Sequence, residues 1–312
     1  MLHPWRSVLT AALVFAGSLS GAALAQEATP DPGSLFADLD LPELTITQTA
    51  DSMQIDQPEI PAGRYLVHFV NESGNPEASG GFVLLADGKT LKDLSSADEV
   101  AAGTPVDPMA PPSADDDWLY STYVIGGGSA LGPASVVDLP PGNYGVWADD
   151  PTSPIAAAPL TVTGDAATPT AGSEPTATLT ITEAGTPGKG WGFATEGELR
   201  AGSQVVKVVN DSEQPHFILA FHYPEPITLE QFQAAMMFDP SSGATPPADM
   251  IDPSKLQPVA WVGAQSGGTT QWATFTLEPG QVILVCFVPD PAAGGVPHAM
   301  EGMVTLLDVA GS

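Results

Sequence analysis

The feature that most constrains this chain is that it repeats itself. Leu44-Thr-Ile-Thr47 returns as Leu179-Thr-Ile-Thr182, and IPAGRYLVHFVNES from Ile60 returns as LRAGSQVVKVVNDS from Leu199. Thr90-Leu91, opening TLKDLSSADEVA, matches Thr228-Leu229 in TLEQFQAAMM, and VVDLPPGNYGVWADDP from Val136 matches TFTLEPGQVILVCFVPDP. The offset is 135 residues at Leu44/Leu179, 139 at Asn71/Asn210 and 138 at Pro141/Pro279. So steady a register is what a tandem duplication leaves, and it predicts two copies of one fold.

Both copies read as β. Tyr65–Val70, Phe82–Leu85, Val205–Val209 and Val282–Val288 are short, β-branched or aromatic runs bounded by Gly, Pro, Asn or Asp. Pro141-Gly142 and Pro279-Gly280 place turn residues directly before strands. Many short strands in about 120 residues predict an all-β Greek-key sandwich for each copy. One short helix per copy is expected in a long connection. The domain boundaries expected are a spacer over 26–40, a first domain over 41–163 and a second over 178–312. Between the domains, GDAATPTAGSEPTA (164–177) lacks apolar periodicity and reads as a linker.

The first residues set the compartment. Arg6 closes a short positive start, Val8–Leu24 is apolar and rich in small residues, and Ala23-Leu24-Ala25 offers a small-x-small cleavage site. A secretory signal over 1–25 is therefore expected, placing the protein outside the cytoplasm, secreted or periplasmic, with no membrane insertion after cleavage. Acidic residues number 37 against 8 basic, a net charge of −29, which would repel nucleic acid and anionic lipid alike.

In an oxidising compartment a single cysteine, Cys286, cannot form an internal disulfide. Taken alone it reads as a small buried core residue, in step with Leu284 and Val288. Its neighbourhood in sequence adds a second reading. His216 follows a turn at the start of an apolar run, and His298 and Met303 follow Cys286 on a Pro/Gly-rich loop. One thiolate, two imidazoles and a thioether form the donor set of a mononuclear blue-copper electron-transfer site. The first copy has none of these donors. Past Cys286 the offset jumps to 144, at Leu160/Val304, so the second copy has gained roughly six residues in the loop that carries His298.

Val209-Asn210 through Pro215-His216, then Cys286, Pro297-His298 and Gly302-Met303 before the strand Val304–Leu307, give residues 178–309 a resemblance to the cupredoxin family. The order His, Cys, His, Met is the family order. The resemblance implies one type 1 copper in the second domain only, with His216 and His298 as imidazole ligands, Cys286 as the thiolate and Met303 as the weak axial ligand. Met300 is the alternative to Met303. Eleven residues separate Cys286 from His298, a long loop for the family, and Phe217 stands where many members place Asn.

The expected function is electron transfer with a redox partner protein. A copper-free cupredoxin-fold module acting in binding or as a cell-surface scaffold is the alternative. Type 2 and trinuclear centres need further histidines, often as His-x-His pairs. Beyond residue 25 there are four histidines and no such pair, so the expectation is a protein that is not an enzyme.

Overall fold

A computed structural model describes residues 32–94, 117–148, 155–165, 174–238 and 245–311. The stretch expected to be a signal (1–25), most of the expected linker and most of TLKDLSSADEVA lie outside the described residues; of the last, Leu91–Leu94 forms a 3-10 turn.

The first copy contains β1 (Glu43–Gln48), β2 (Met53–Ile55), β3 (Glu59–Pro61), β4 (Gly63–Asn71), β5 (Ser79–Leu84), β6 (Val124–Ser129), β7 (Ala134–Leu139), β8 (Gly142–Ala148) and β9 (Ala158–Thr163). The second contains β10 (Leu179–Thr186), β11 (Gly190–Gly197), β12 (Leu199–Arg200), β13 (Gly202–Asn210), β14 (His216–His222), helix α1 (Leu229–Met237), β15 (Gln257–Gln265), β16 (Thr270–Leu277), β17 (Gly280–Val285), β18 (Pro289–Asp290), β19 (Val296–Pro297) and β20 (Val304–Ala310). Thr228 and Gln231 form a capping box that starts α1.

The duplication holds strand for strand. In the first copy β1 pairs antiparallel with β2 and parallel with β4, and β4 antiparallel with β7. Strands β10, β11, β13 and β16 repeat those pairings. The facing sheets run β3-β9-β8-β5-β6 and β12-β20-β17-β14-β15. Two tandem all-β sandwiches of Greek-key type are thus what the chain builds. The extra elements of the second copy, β18 and β19, fall where the offset jumps.

The two copies meet along a strand edge. β7 pairs with β16 through Val136–Trp272 and Ser135–Ala273, so one eight-stranded sheet runs through both. A 3-10 turn at Pro32–Leu39, inside the stretch read as a spacer, seats Phe36 in a buried group with Leu66, Val136, Val205 and Trp272 at this joint. Elsewhere β6 and β15 touch backbone to backbone: a Cβ added at Gly126 would lie 2.7 Å from the Gly263 Cα.

The sheet that carries β14 and β17 is buried on both faces. Ile218, Ala220, Val282 and Leu284 point into the second copy's own core. Phe217, Leu219, Phe221, Ile283 and Val285 point the other way, into a cluster shared with Val83, Leu119, Val124 and Trp147 of the first copy. Two-sided burial explains why VILVCFV and HFILAF read as continuous apolar runs without alternation.

Candidate metal centre

Three of the sequence-predicted donors converge at one end of this sheet. His216 opens β14, where the register against β15 slips between His216 and Ile218; such a bulge re-aims a side chain. Cys286 follows the last residue of β17, and its N–H is 3.2 Å from the Met303 carbonyl. His298 begins a 3-10 turn that ends at Gly302, whose φ of 111° suits glycine. The long loop between them closes on itself: Pro289 pairs with Pro297 and Asp290 with Val296, and the His298 N–H donates to the Val288 carbonyl at 2.9 Å. The eleven-residue separation therefore acts as a short one, with a small hairpin looped out.

The donor atoms form a tight triangle. Cys286 Sγ lies 3.7 Å from His216 Nδ1 and 3.7 Å from His298 Nδ1, and the two Nδ1 atoms are 2.9 Å apart. All three residues have 0% exposure, and they are the one group among the described residues with metal-ligand spacing. Met303 is fully buried in the same apolar cluster as Cys286, whereas Met300 is partly exposed.

Hydrogen bonding fixes the His298 tautomer and allows the same one at His216. Gln214 Nε2 donates to Asp290 Oδ1 at 2.9 Å, which leaves Gln214 Oε1 facing His298 Nε2 at 3.0 Å. An amide oxygen only accepts, so His298 carries its proton on Nε2. Ser212 Oγ lies 2.7 Å from Asn210 Oδ1 and 2.9 Å from His216 Nε2. The Asn210 amide is itself fixed, because Nδ2 donates to the Gln214 and Gln265 carbonyls. The hydroxyl has the Asn210 oxygen and the Gln214 carbonyl (3.0 Å) as acceptors for its own proton, which leaves it able to accept from His216 Nε2–H. Two bare Nδ1 lone pairs then face each other in a dry cavity, and the single thiol proton can serve only one at a time. That arrangement suits a cation among the three donors.

Electrostatics agree with that need. Burial pushes the Cys286 thiol well up despite hydrogen bonds from the Phe217 and Val288 backbone. Burial lowers His298 to about 3, and burial together with His298 lowers His216 well below its usual range. Without metal the site is neutral. A bound dication reverses the thiol's preference outright. Nitrogen donors at about 2.0 Å and a thiolate at about 2.3 Å from one centre stand roughly 3.3–3.7 Å apart. The sulfur–nitrogen edges match this spacing, and the nitrogen–nitrogen edge is a few tenths of an ångström shorter. Two imidazoles and one thiolate in a trigonal set, with a thioether packed beside them, is the donor set of a type 1 copper site.

Residues that the sequence did not single out complete the surroundings. Trp191 of β11 lies against both imidazoles, with ring centroids 4.4 Å from His298 and 4.9 Å from His216, and is itself 5% exposed. Asp290 accepts from Gly188 N (2.7 Å), Ala292 N (2.8 Å), Gln214 Nε2 (2.9 Å) and Trp191 Nε1 (3.3 Å). Tyr120, from the first copy, donates its hydroxyl to the Pro289 carbonyl at 2.8 Å. Phe217, in the place expected for Asn, stacks on Trp261. Nearby, Glu183 is fully buried, with one oxygen accepting from Gln265 Nε2 at 2.8 Å and the other lacking a partner.

No family model and no curated protein sequence matches the chain. Among solved structures, auracyanin from Roseiflexus castenholzii is similar at 21% identity over 42% of this chain and 94% of that one, with a TM-score of 0.24. The second copy has the two-sheet β-sandwich and the buried His-Cys-His cluster that a cupredoxin-like domain would have. Copper nitrite reductase from Nitrosomonas europaea is similar over 86% of this chain and 93% of that one, at 11% identity and a TM-score of 0.24. A multicopper oxidase is similar over 93% of this chain and 100% of that one, at 12% identity and a TM-score of 0.22. Likeness at these identities bears on fold alone. It nevertheless corrects one expectation: the exclusion of enzymatic activity, drawn from the histidine count, does not stand, because the structures matched along most of the chain are enzymes. Among the described residues no helix is long and apolar enough to cross a membrane.

Proposed function

We propose that the second copy binds one copper ion and passes single electrons through it, outside the cytoplasm. His216 and His298 would hold the metal through Nδ1, Cys286 through its thiolate and Met303 as the weak axial donor. The observation that carries this reading is the triangle of Nδ1, Nδ1 and Sγ, with both Nε2 atoms turned outward, His298 onto the Gln214 amide oxygen and His216 onto the Ser212 hydroxyl. When bound, copper supplies a one-electron couple.

The chain's part is to hold that couple still and dry. Each ligand is fixed by a backbone ladder or an Nε2 hydrogen bond, so changing oxidation state moves little. Phe217, Phe287, Val288 and Trp191 exclude water. The apolar run ahead of residue 26 supports export. A docked redox protein is the expected partner, and a net charge of −29 would favour a cationic one.

The test is a Cu(II) titration of the purified protein followed by visible absorption. An intense thiolate-to-copper band that saturates at one equivalent and vanishes in Cys286→Ser supports the reading. Absence of that band in the wild-type protein refutes it.

A further inference from the structure

Asp290 is the least expected group near the site. It is fully buried, and among the described residues no lysine or arginine makes an ion pair with it. A buried carboxylate without a countercharge is costly unless donors surround it. Four do, and they come from three different elements. Gly188 N and Trp191 Nε1 belong to the β10–β11 hairpin, Gln214 Nε2 to the loop before His216, and Ala292 N to the hairpin before His298. Burial raises the pKa of Asp290, but these hydrogen bonds outweigh it and hold the group below the usual carboxylate range. Its charge is felt next door: burial, then Asp290, push the Glu301 carboxyl up.

The direction of the hydrogen bonds ties this charge to the metal donors. Because Gln214 spends its N–H on Asp290, its oxygen must face His298 Nε2. Without the carboxylate the amide could rotate, and His298 could move its proton to the atom that faces the site. A cupric ion bound to one thiolate has a net charge of +1, and the cuprous form is neutral. A fixed negative charge beside the site therefore favours the oxidised form.

We propose that Asp290 is the built-in countercharge of the oxidised centre and, through Gln214, the positioning residue that keeps His298 Nδ1 free to ligate. This rests on the copper reading above. None of these four hydrogen bonds of Asp290 goes to a proposed ligand, so it sets potential and ligand geometry and takes no part in the electron's transfer.

Two variants test the two halves of the claim. Asp290→Asn keeps shape and removes charge. The blue band should persist, while the affinity for Cu(II) relative to Cu(I) falls at least tenfold, a rise of about 59 mV or more in midpoint potential. An unchanged potential in a blue Asp290→Asn protein overturns the countercharge. Gln214→Leu keeps the charge and cuts the bridge. In metal-free wild-type protein at neutral pH, imidazole proton–nitrogen correlation spectra should show a slowly exchanging Nε2–H from His298, and this signal should be lost in Gln214→Leu. Its persistence there overturns the positioning role. The spectrum needs no metal, so it decides that role even if Asp290→Asn fails to fold. A wild-type protein that keeps the Nε2–H signal and gives no blue band refutes the copper reading, and the countercharge with it.

Discussion

Glu183 supplies the sharpest quantitative prediction, because it involves neither metal nor partner. The carboxyl is fully buried on β10, and burial, opposed only by the hydrogen bond from Gln265, raises its pKa from 4.5 to about 8. A raised carboxyl pKa means that folding favours the protonated form. The stability linked to this group is complete below the unfolded value of 4.5 and is lost as pH climbs toward 8. Each unit in that window is about 1.4 kcal/mol, so wild-type protein should lose about 3–4 kcal/mol between pH 5 and pH 8 from this group. Glu183→Gln keeps the contact with Gln265 through an amide oxygen and cannot ionise. Metal-free wild-type and variant proteins should be unfolded in urea at pH 5 and pH 8, with tryptophan fluorescence as readout. Titrations common to both cancel in the difference. The variant should gain about 3 kcal/mol on the wild type over this range. Parallel pH dependences would refute the assignment of Glu183 as a buried neutral acid.

The two imidazoles act in the opposite sense. Burial lowers both, so the stability they contribute is present above about pH 6.5 and is lost as pH falls, toward about 3 for His298; thermal unfolding of metal-free protein between pH 7 and pH 4 should show that loss, and His298→Gln should flatten it. Tyr120→Phe removes the hydrogen bond from the first copy to Pro289 and should cost about 1 kcal/mol in urea unfolding, with faster hydrogen exchange at His298 N, next to the loosened hairpin. Gly126→Ala drives a methyl into the Gly263 backbone and should destabilise by about 1–3 kcal/mol, whereas Gly192→Ala, which meets nothing within 4 Å, should be tolerated.

How much of this was legible in the sequence depends on the range of the contacts. The duplicated fold was readable because matching turns and apolar runs recur in register, and that register encodes the pairing of β1, β4 and β7 and of β10, β13 and β16. The candidate ligands were readable because His, Cys, His and Met occur in a recognisable order. Asp290, Gln214 and Trp191 were not. Trp191 and Asp290 are 99 residues apart, Gln214 and Asp290 are 76, and each sits in a stretch that locally reads as a turn or hairpin. The loop length misleads in the same way: eleven residues suggest a departure, but the Pro289–Pro297 ribbon removes most of them from the path between Cys286 and His298. The histidine count was readable yet did not support the conclusion drawn from it about catalysis.

What the sequence left without a reason is the first copy, which carries no metal donors. The structure supplies one in the two-sided burial of the ligand sheet. Phe217, Leu219, Phe221, Ile283 and Val285 alternate with residues of the second copy's core and lie in a cluster that both copies build, with Ile227, Phe232, Ile251 and Leu256 from the second and Val83, Leu119, Val124 and Trp147 from the first. Full burial of one such side chain is worth about 1.5–3 kcal/mol, so even partial exposure of this group would be a sizeable fraction of a domain's net stability. Val83, Leu119, Val124 and Trp147 cover part of that face, Tyr120 ties down the hairpin before His298, and the β7–β16 joint with Phe36 holds the two copies in register. The first copy lacks the candidate donors and contributes surface instead. It forms the outer wall of the site held by its twin.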